Sequence, residues 1–126
     1  MIQMLYVGIG GFIGSCARFG INKVLSQEHF VPFGTLLSNV TAGLLIGIII
    51  GTEREFFELP EKVKLMTVTG FLGGLSTFSA FSLETVNYIE LGEYFKASAN
   101  VLLNLLLCFA AVFLGFVIVK FLKTKI

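Results

Sequence analysis

The sequence predicts an all-α integral membrane protein of four transmembrane helices with the third helix broken, and three observations carry that reading. Four charge-free runs, residues 1–17, 30–52, 65–83 and 97–119, fill most of the 126-residue chain. Hydrophobic residues make up 56% and charged ones 13%, which leaves no stretch for a separate water-soluble domain. Residues 70–82, inside the third run, hold three glycines, four hydroxyl residues and three phenylalanines. Unpaired backbone is costly in hydrocarbon, so such an interruption is tolerated only where it is buried in protein or lines a polar cavity.

A helix rises about 1.5 Å per residue and the hydrocarbon core is about 30 Å thick, so roughly 20 apolar residues cross it. The last three runs meet that length, and the first does so with Arg18 near its polar end. The expected helices cover about residues 2–25, 32–52, 62–90 and 95–123 of a single membrane domain, 1–126. Both termini then lie on one side, together with Arg54, Lys62, Lys64, Lys120, Lys123 and Lys125, whereas Arg18, Lys23 and Lys96 lie on the other. That asymmetry favours cytoplasmic termini and leaves mixed orientation open. A net charge of +1 with no clustered basic face excludes nucleic acid as a partner.

The first helix lacks a basic n-region and a small-residue cleavage site, so it is expected to be retained. Gly10 and Gly14 form a GxxxG pair suited to close helix packing. Beside them Gly11, Ser15, Arg18 and Asn22 recur at helical spacing. Arg18 either snorkels to the interface or lines an aqueous vestibule for anions, with Glu84 as its expected partner. The connection at 26–31 holds the only histidine, His29, read as an exposed loop residue without the neighbours that metal binding or catalysis requires.

Pro32 suits the first turn of the second helix, along which Thr35, Asn39, Gly43, Gly47 and Gly51 recur every fourth residue. The glycines read as packing positions. Asn39 needs a hydrogen-bond partner in the membrane and is expected on a transport path. The next connection, with Glu53, Glu55, Glu58 and Glu61, reads as solvated and offers no paired acid and base.

In the third helix Phe78 and Phe81 are three apart and share a face. Gly73-Gly74 followed by Ser76-Thr77 favours a break in the hydrogen-bond ladder. Freed carbonyls can coordinate a cation, and freed amides or hydroxyls can meet an anion. The fourth helix carries Ala97, Asn100, Asn104, Cys108, Ala111 and Gly115 on one stripe. Asn104 and Cys108 extend a polar track across the membrane, with interhelical hydrogen bonding as the alternative reading of the asparagines. Cys16 and Cys108 read as packing or cavity-lining residues, not as a disulfide.

Four helices hardly enclose a pore, so an oligomer is expected, most economically a dimer. Hydroxyls, side-chain amides and the partly positive edges of aromatic rings suit a small hard anion. A cation path usually shows acidic rings, and Glu84 alone comes near one.

At this point the motifs resemble the CrcB/Fluc family of bacterial fluoride channels across all four helices. The first helix is similar to the family's GGxxGxxxR[YF] pattern from Gly10 to Phe19, and the second to PxGTLxxN from Pro32 to Asn39. The third follows GGxTTFSTFS from Gly73 to Ser82, with Ser76 and Ala80 in place of two threonines. The resemblance implies an antiparallel dual-topology dimer with two pores, multi-pass in the bacterial inner membrane and embedded in its lipid. It would pass trapped cytoplasmic fluoride out passively and so confer fluoride resistance. By the same resemblance Phe78 and Phe81 form the aromatic fluoride sites, Asn39 donates to the ion and Arg18 sits by the vestibule. Thr35, Ser79, Asn104 and Cys108 complete the pore lining. The resemblance further implies that backbone carbonyls of Gly73 and Ser76 would hold a structural sodium ion at the dimer centre. Ala80 removes one hydroxyl from the polar track.

Some relatives pair two separately encoded subunits, so a heterodimer with a paralogue is the alternative to a homodimer. A small four-helix multidrug-type exporter should carry a glutamate in its first helix, and residues 1–25 contain none. A structural or assembly subunit is the other rival. An enzyme is not expected, because the serines of the third helix have no general base in reach.

Overall fold

A computed structural model describes residues 1–25 and 30–125, and His29 lies outside them. Helix α1 spans Ile2–Val24 and α2 spans Phe33–Glu55. The third crossing runs Glu61–Glu90 in four pieces: α3 (Glu61–Lys64), a π-helical segment (Leu65–Leu72), α4 (Gly73–Leu75) and α5 (Phe78–Glu90). Helix α6, Tyr94–Lys125, completes four crossings that are long and apolar enough to span a membrane. Gly92, at φ 74°, makes the tight turn into α6.

The crossings pair alternately, first with third and second with fourth. Glycine lets backbone meet backbone in both pairs. A Cβ on Gly10 would strike the Met66 carbonyl, one on Gly14 the Phe71 carbonyl, and one on Gly70 the Val7 carbonyl. The π-helical segment and α4 therefore lie directly on α1. In the other pair α2 and α6 run parallel, with Gly43 against Cys108, Gly47 against Val112 and Gly115, and Gly51 against Phe116 and Val119. At the end of that seam Lys123 Nζ meets Glu55 Oε2 at 2.9 Å. Such small-residue seams maximise dispersion contact where lipid supplies no hydrophobic drive. Leu72, Leu75 and Ala42 form the buried apolar centre, backed by Ala17, Ile21 and Ile46. Large apolar residues such as Phe12, Phe19, Phe109 and Phe113 are exposed, as expected of a surface solvated by lipid.

The break falls at Ser76 and Thr77, whose backbones are extended at φ −81°, ψ 151° and φ −152°, ψ 115°. Gly73 and Gly74 stay helical, so the interruption falls two residues beyond the glycine pair. Glycine inside a helix costs only about 1 kcal/mol relative to alanine. At Gly74 it serves approach instead, because a Cβ there would meet the Gly11 carbonyl and Ser15. Thr77 then starts α5 as its N-cap, its Oγ1 accepting from the Ala80 amide at 3.2 Å.

Candidate functional site

Interrupting the third crossing leaves main-chain groups to satisfy, and α2 supplies the partner. Asn39 Oδ1 accepts from the Thr77 amide at 2.7 Å, while Asn39 Nδ2 lies 3.4 Å from the Thr77 carbonyl. The same Nδ2 donates to Asn104 Oδ1 on α6 at 3.0 Å. Asn104 Nδ2 in turn donates to both the carbonyl and Oδ1 of Asn100, each at 3.0 Å. Asn100 Nδ2 donates to Thr85 Oγ1 at 3.0 Å, and Thr85 Oγ1 donates to the Phe81 carbonyl at 2.8 Å. One chain of hydrogen bonds thus leaves the break, crosses α2 and α6, and returns to the first turns of α5. Asn100 is fully buried and Asn104 is 4% exposed, so a bond lost at either asparagine would orphan a buried polar group.

Against this chain lies a cavity of about 290 Å³ that contains Asn39, Asn104, Ser76, Thr77, Phe78, Phe81 and Cys108 in its wall. Its remaining surface is apolar, from Ala42, Ile46, Leu105 and Phe109 among others, and among the described residues no carboxylate lines it. The Phe78 and Phe81 rings have centroids 5.4 Å apart and are tilted by 56°. Their exposures differ sharply: Phe81 is 7% exposed and Phe78 is 75% exposed. The inner ring is held by the chain's own helices, and the outer one stands on an uncovered face with Gly73 and Ser79.

Asn39, Asn104, Phe78, Phe81 and Cys108 therefore converge on one space, whereas Thr35, Ser79 and Arg18 stand outside its wall. Thr35 Oγ1 donates to Glu84 Oε1 at 2.5 Å, and Ser79 Oγ pairs with Thr77 Oγ1 at 3.1 Å. Arg18 does not pair with Glu84. Its Nε donates to the Gly74 carbonyl at 3.0 Å. Helix α1 is locked onto α4 at Gly14 and Gly74, which places Arg18 at the break, while Glu84 is engaged by Thr35 of α2. Near the first turns of α2, Asn22 Oδ1, Ser38 Oγ and Glu84 Oε2 are buried without hydrogen-bond partners among the described residues.

The break also bears on cation binding. Among the described residues no group of three His, Cys, Asp or Glu side chains converges to hold a metal ion. Carbonyls are the remaining donors. Because the Thr77 amide turns to Asn39, the Gly73 carbonyl loses the donor that a continuous helix would offer it, and Ser76 ends the helix before its own carbonyl is paired within a ladder.

Two members of the hydrogen-bond chain, Asn100 and Thr85, are not candidates on sequence grounds. Asn100 shows its signal in the α6 stripe. Thr85 shows none, since a threonine within a helix most often bonds its own preceding carbonyl, as this one also does.

Comparison with known proteins agrees with this architecture. The pattern of the family described as "CrcB-like protein, Camphor Resistance (CrcB)" matches residues 5–116. A protein of Aeromonas salmonicida named "Fluoride-specific ion channel FluC" is 41% identical over 118 residues, covering 91% of this chain and 94% of its own length. A protein of the same name from Pyrococcus abyssi is 41% identical over 112 residues, covering 89% and 91%. One from Shewanella amazonensis is 42% identical over 118 residues, covering 91% and 94%.

Proposed function

The chain belongs to the CrcB-like family, and from that premise we propose that it is a fluoride-selective ion channel, a multi-pass membrane protein and not an enzyme. The observation that carries the reading is the cavity at the helix break, where two phenylalanine rings meet two side-chain amides and, among the described residues, no carboxylate.

Fluoride is small and strongly hydrated, so a path through hydrocarbon must replace its water with donors. Ring edges carry partial positive charge and attract an anion without trapping it as a fixed cation would. Asn39 supplies the directed donor. Its Nδ2 makes one firm bond, to Asn104, and the second contact, 3.4 Å from the Thr77 carbonyl, is at the limit of a hydrogen bond. That second proton is the one available to a passing ion. The Cys108 thiol extends the wall beyond the rings. Thr35, Ser79 and Arg18 serve the approaches to the cavity, with Arg18 fixing the break through Gly74 while its charge attracts anions to the mouth.

Passive flow is enough for export. Hydrogen fluoride enters an acidified cell as a neutral molecule and ionises inside, and the inside-negative potential then drives the anion out through any selective path. A bacterial inner membrane is where that service is needed.

The functional unit is an antiparallel homodimer with two pores. Support comes from the uncovered face that carries Phe78 and Gly73, since a pore ring left on a single chain's surface needs a second wall. The Gly73 and Ser76 carbonyls at that face would hold a structural sodium ion between the two breaks. When bound, it supplies fixed positive charge that satisfies the freed carbonyls.

Fluoride-electrode efflux from proteoliposomes, with chloride as the competing ion, tests the channel reading. Rapid fluoride efflux with negligible chloride flux is expected. Chloride flux at a comparable rate, or no fluoride flux from reconstituted homodimer, overturns it.

A further inference from the structure

We propose that Thr85 and Asn100, neither of which lines the cavity, are positioning residues that fix the direction of every side-chain amide in the path and so make the cavity present N–H groups. The inference rests on the channel reading and adds the origin of its anion preference.

A side-chain amide can be turned end for end at little steric cost, exchanging donors for an acceptor, so its direction is set by its partners. Hydrogen-bond bookkeeping settles the direction along this chain. Thr85 sits in α5 with Oγ1 2.8 Å from the Phe81 carbonyl, which can only accept. The single hydroxyl proton is therefore committed there, and Thr85 Oγ1 offers only acceptance to Asn100. Asn100 must then turn its NH2 to Thr85, at 3.0 Å, which leaves its Oδ1 facing Asn104. Two acceptors now face Asn104 from one turn away, the Asn100 carbonyl and Oδ1, each at 3.0 Å. Both protons of the Asn104 amide go to them, and its Oδ1 points to Asn39. That acceptor fixes Asn39 with Nδ2 toward Asn104 and Oδ1 toward the Thr77 amide, which can only donate. The direction is thus over-determined: a main-chain acceptor holds one end of the chain and a main-chain donor holds the other.

Reversal of Asn39 would aim its carbonyl oxygen at Asn104 Oδ1 and at the Thr77 carbonyl, a repulsive arrangement for the protein and for an anion alike. Removing the Thr85 hydroxyl frees Asn100 to turn. A turned Asn100 presents NH2 to Asn104 Nδ2, which then keeps only the Asn100 carbonyl as acceptor, so the direction of Asn104 and Asn39 is held by the main-chain partners alone. The cavity keeps its shape while its fixed polarity is weakened.

The test measures fluoride and chloride efflux from proteoliposomes containing wild type, Thr85→Val, Thr85→Ala and Thr85→Ser. Valine is close to threonine in shape, alanine relieves any crowding, and serine keeps the hydroxyl. We expect the valine and alanine variants to lose at least about tenfold in the ratio of fluoride to chloride flux, with the serine variant within about twofold of wild type. Equal ratios in wild type and in whichever of the valine and alanine variants reconstitutes overturn the inference, as does a serine variant as impaired as valine. Neither result touches the channel reading, which stands or falls on fluoride efflux by the wild type.

Discussion

Asn39 grips Thr77 at both main-chain groups, with Oδ1 2.7 Å from the amide nitrogen and Nδ2 3.4 Å from the carbonyl oxygen. One side chain from α2 thereby stands in for the helical ladder that the third crossing gives up at Ser76 and Thr77. The proposed ion-binding duty falls on the same amide.

Replacing Asn39 with alanine leaves the Thr77 amide without its partner. An orphaned buried donor costs about 1–3 kcal/mol. Thermal unfolding in detergent should show that loss, and fluoride efflux should fall by at least about tenfold. Wild-type flux in Asn39→Ala, with unchanged thermal stability, would refute both duties.

The two rings separate by what holds them. Phe78→Ile and Phe81→Ile should each abolish fluoride efflux, because an aliphatic side chain has no positive edge to offer. Only Phe81→Ile alters the interior of the single chain, where Phe81 is 7% exposed. Trading a buried ring for a smaller branched side chain there costs about 1–3 kcal/mol. Normal efflux in both variants would remove the ring assignment.

Thr35 and Glu84 form the next pair. Thr35→Val removes the hydroxyl that donates to Glu84 Oε1, and Glu84 Oε2 already lacks a partner among the described residues. Lower stability is expected for valine, by about 1–3 kcal/mol as for other orphaned buried groups, with recovery in Thr35→Ser. Because Arg18 bonds the Gly74 carbonyl, the double exchange Arg18→Glu with Glu84→Arg should rescue neither single variant. Recovery of flux in the double variant would show that the two charges communicate.

Gly47 tests the seam between α2 and α6. A Cβ there would collide with the Val112 carbonyl and approach Gly115 Cα. Overpacking typically costs about 1–3 kcal/mol, so Gly47→Ala should lower the melting temperature of the purified protein. An unchanged melting temperature would mean that the two helices separate freely at this level.

Much of this was legible in the sequence. Uncharged runs of the right length mark the four crossings, and the density of glycine and hydroxyl residues between Gly70 and Ser82 marks the broken one. Fourfold spacing brings Asn39 and the α2 glycines onto one face, and the α6 stripe brings Asn104 and Cys108 onto another. Periodicity states which face a residue occupies and is silent on the depth at which two helices meet. For that reason Arg18 was expected at Glu84 and lies one lock-point earlier, at Gly74. The same silence hides Thr85, whose place in the chain of bonds depends on how α5 restarts after the break. The π-helical turn at Leu65–Leu72 has no marker of its own, since its composition differs little from that of an apolar α-helix.

The alternate pairing of the crossings has a consequence for biogenesis. Neighbours in the sequence are not the principal neighbours in space: α1 waits for the third crossing and α2 waits for α6. Until α6 is inserted, Gly43, Gly47 and Gly51 have no helix to close on them. Asn39 then faces an empty slot where Asn104 belongs. Assembly is therefore postponed until the last segment is inserted, and a truncated product would be an open, unpaired set of helices that membrane proteases can recognise.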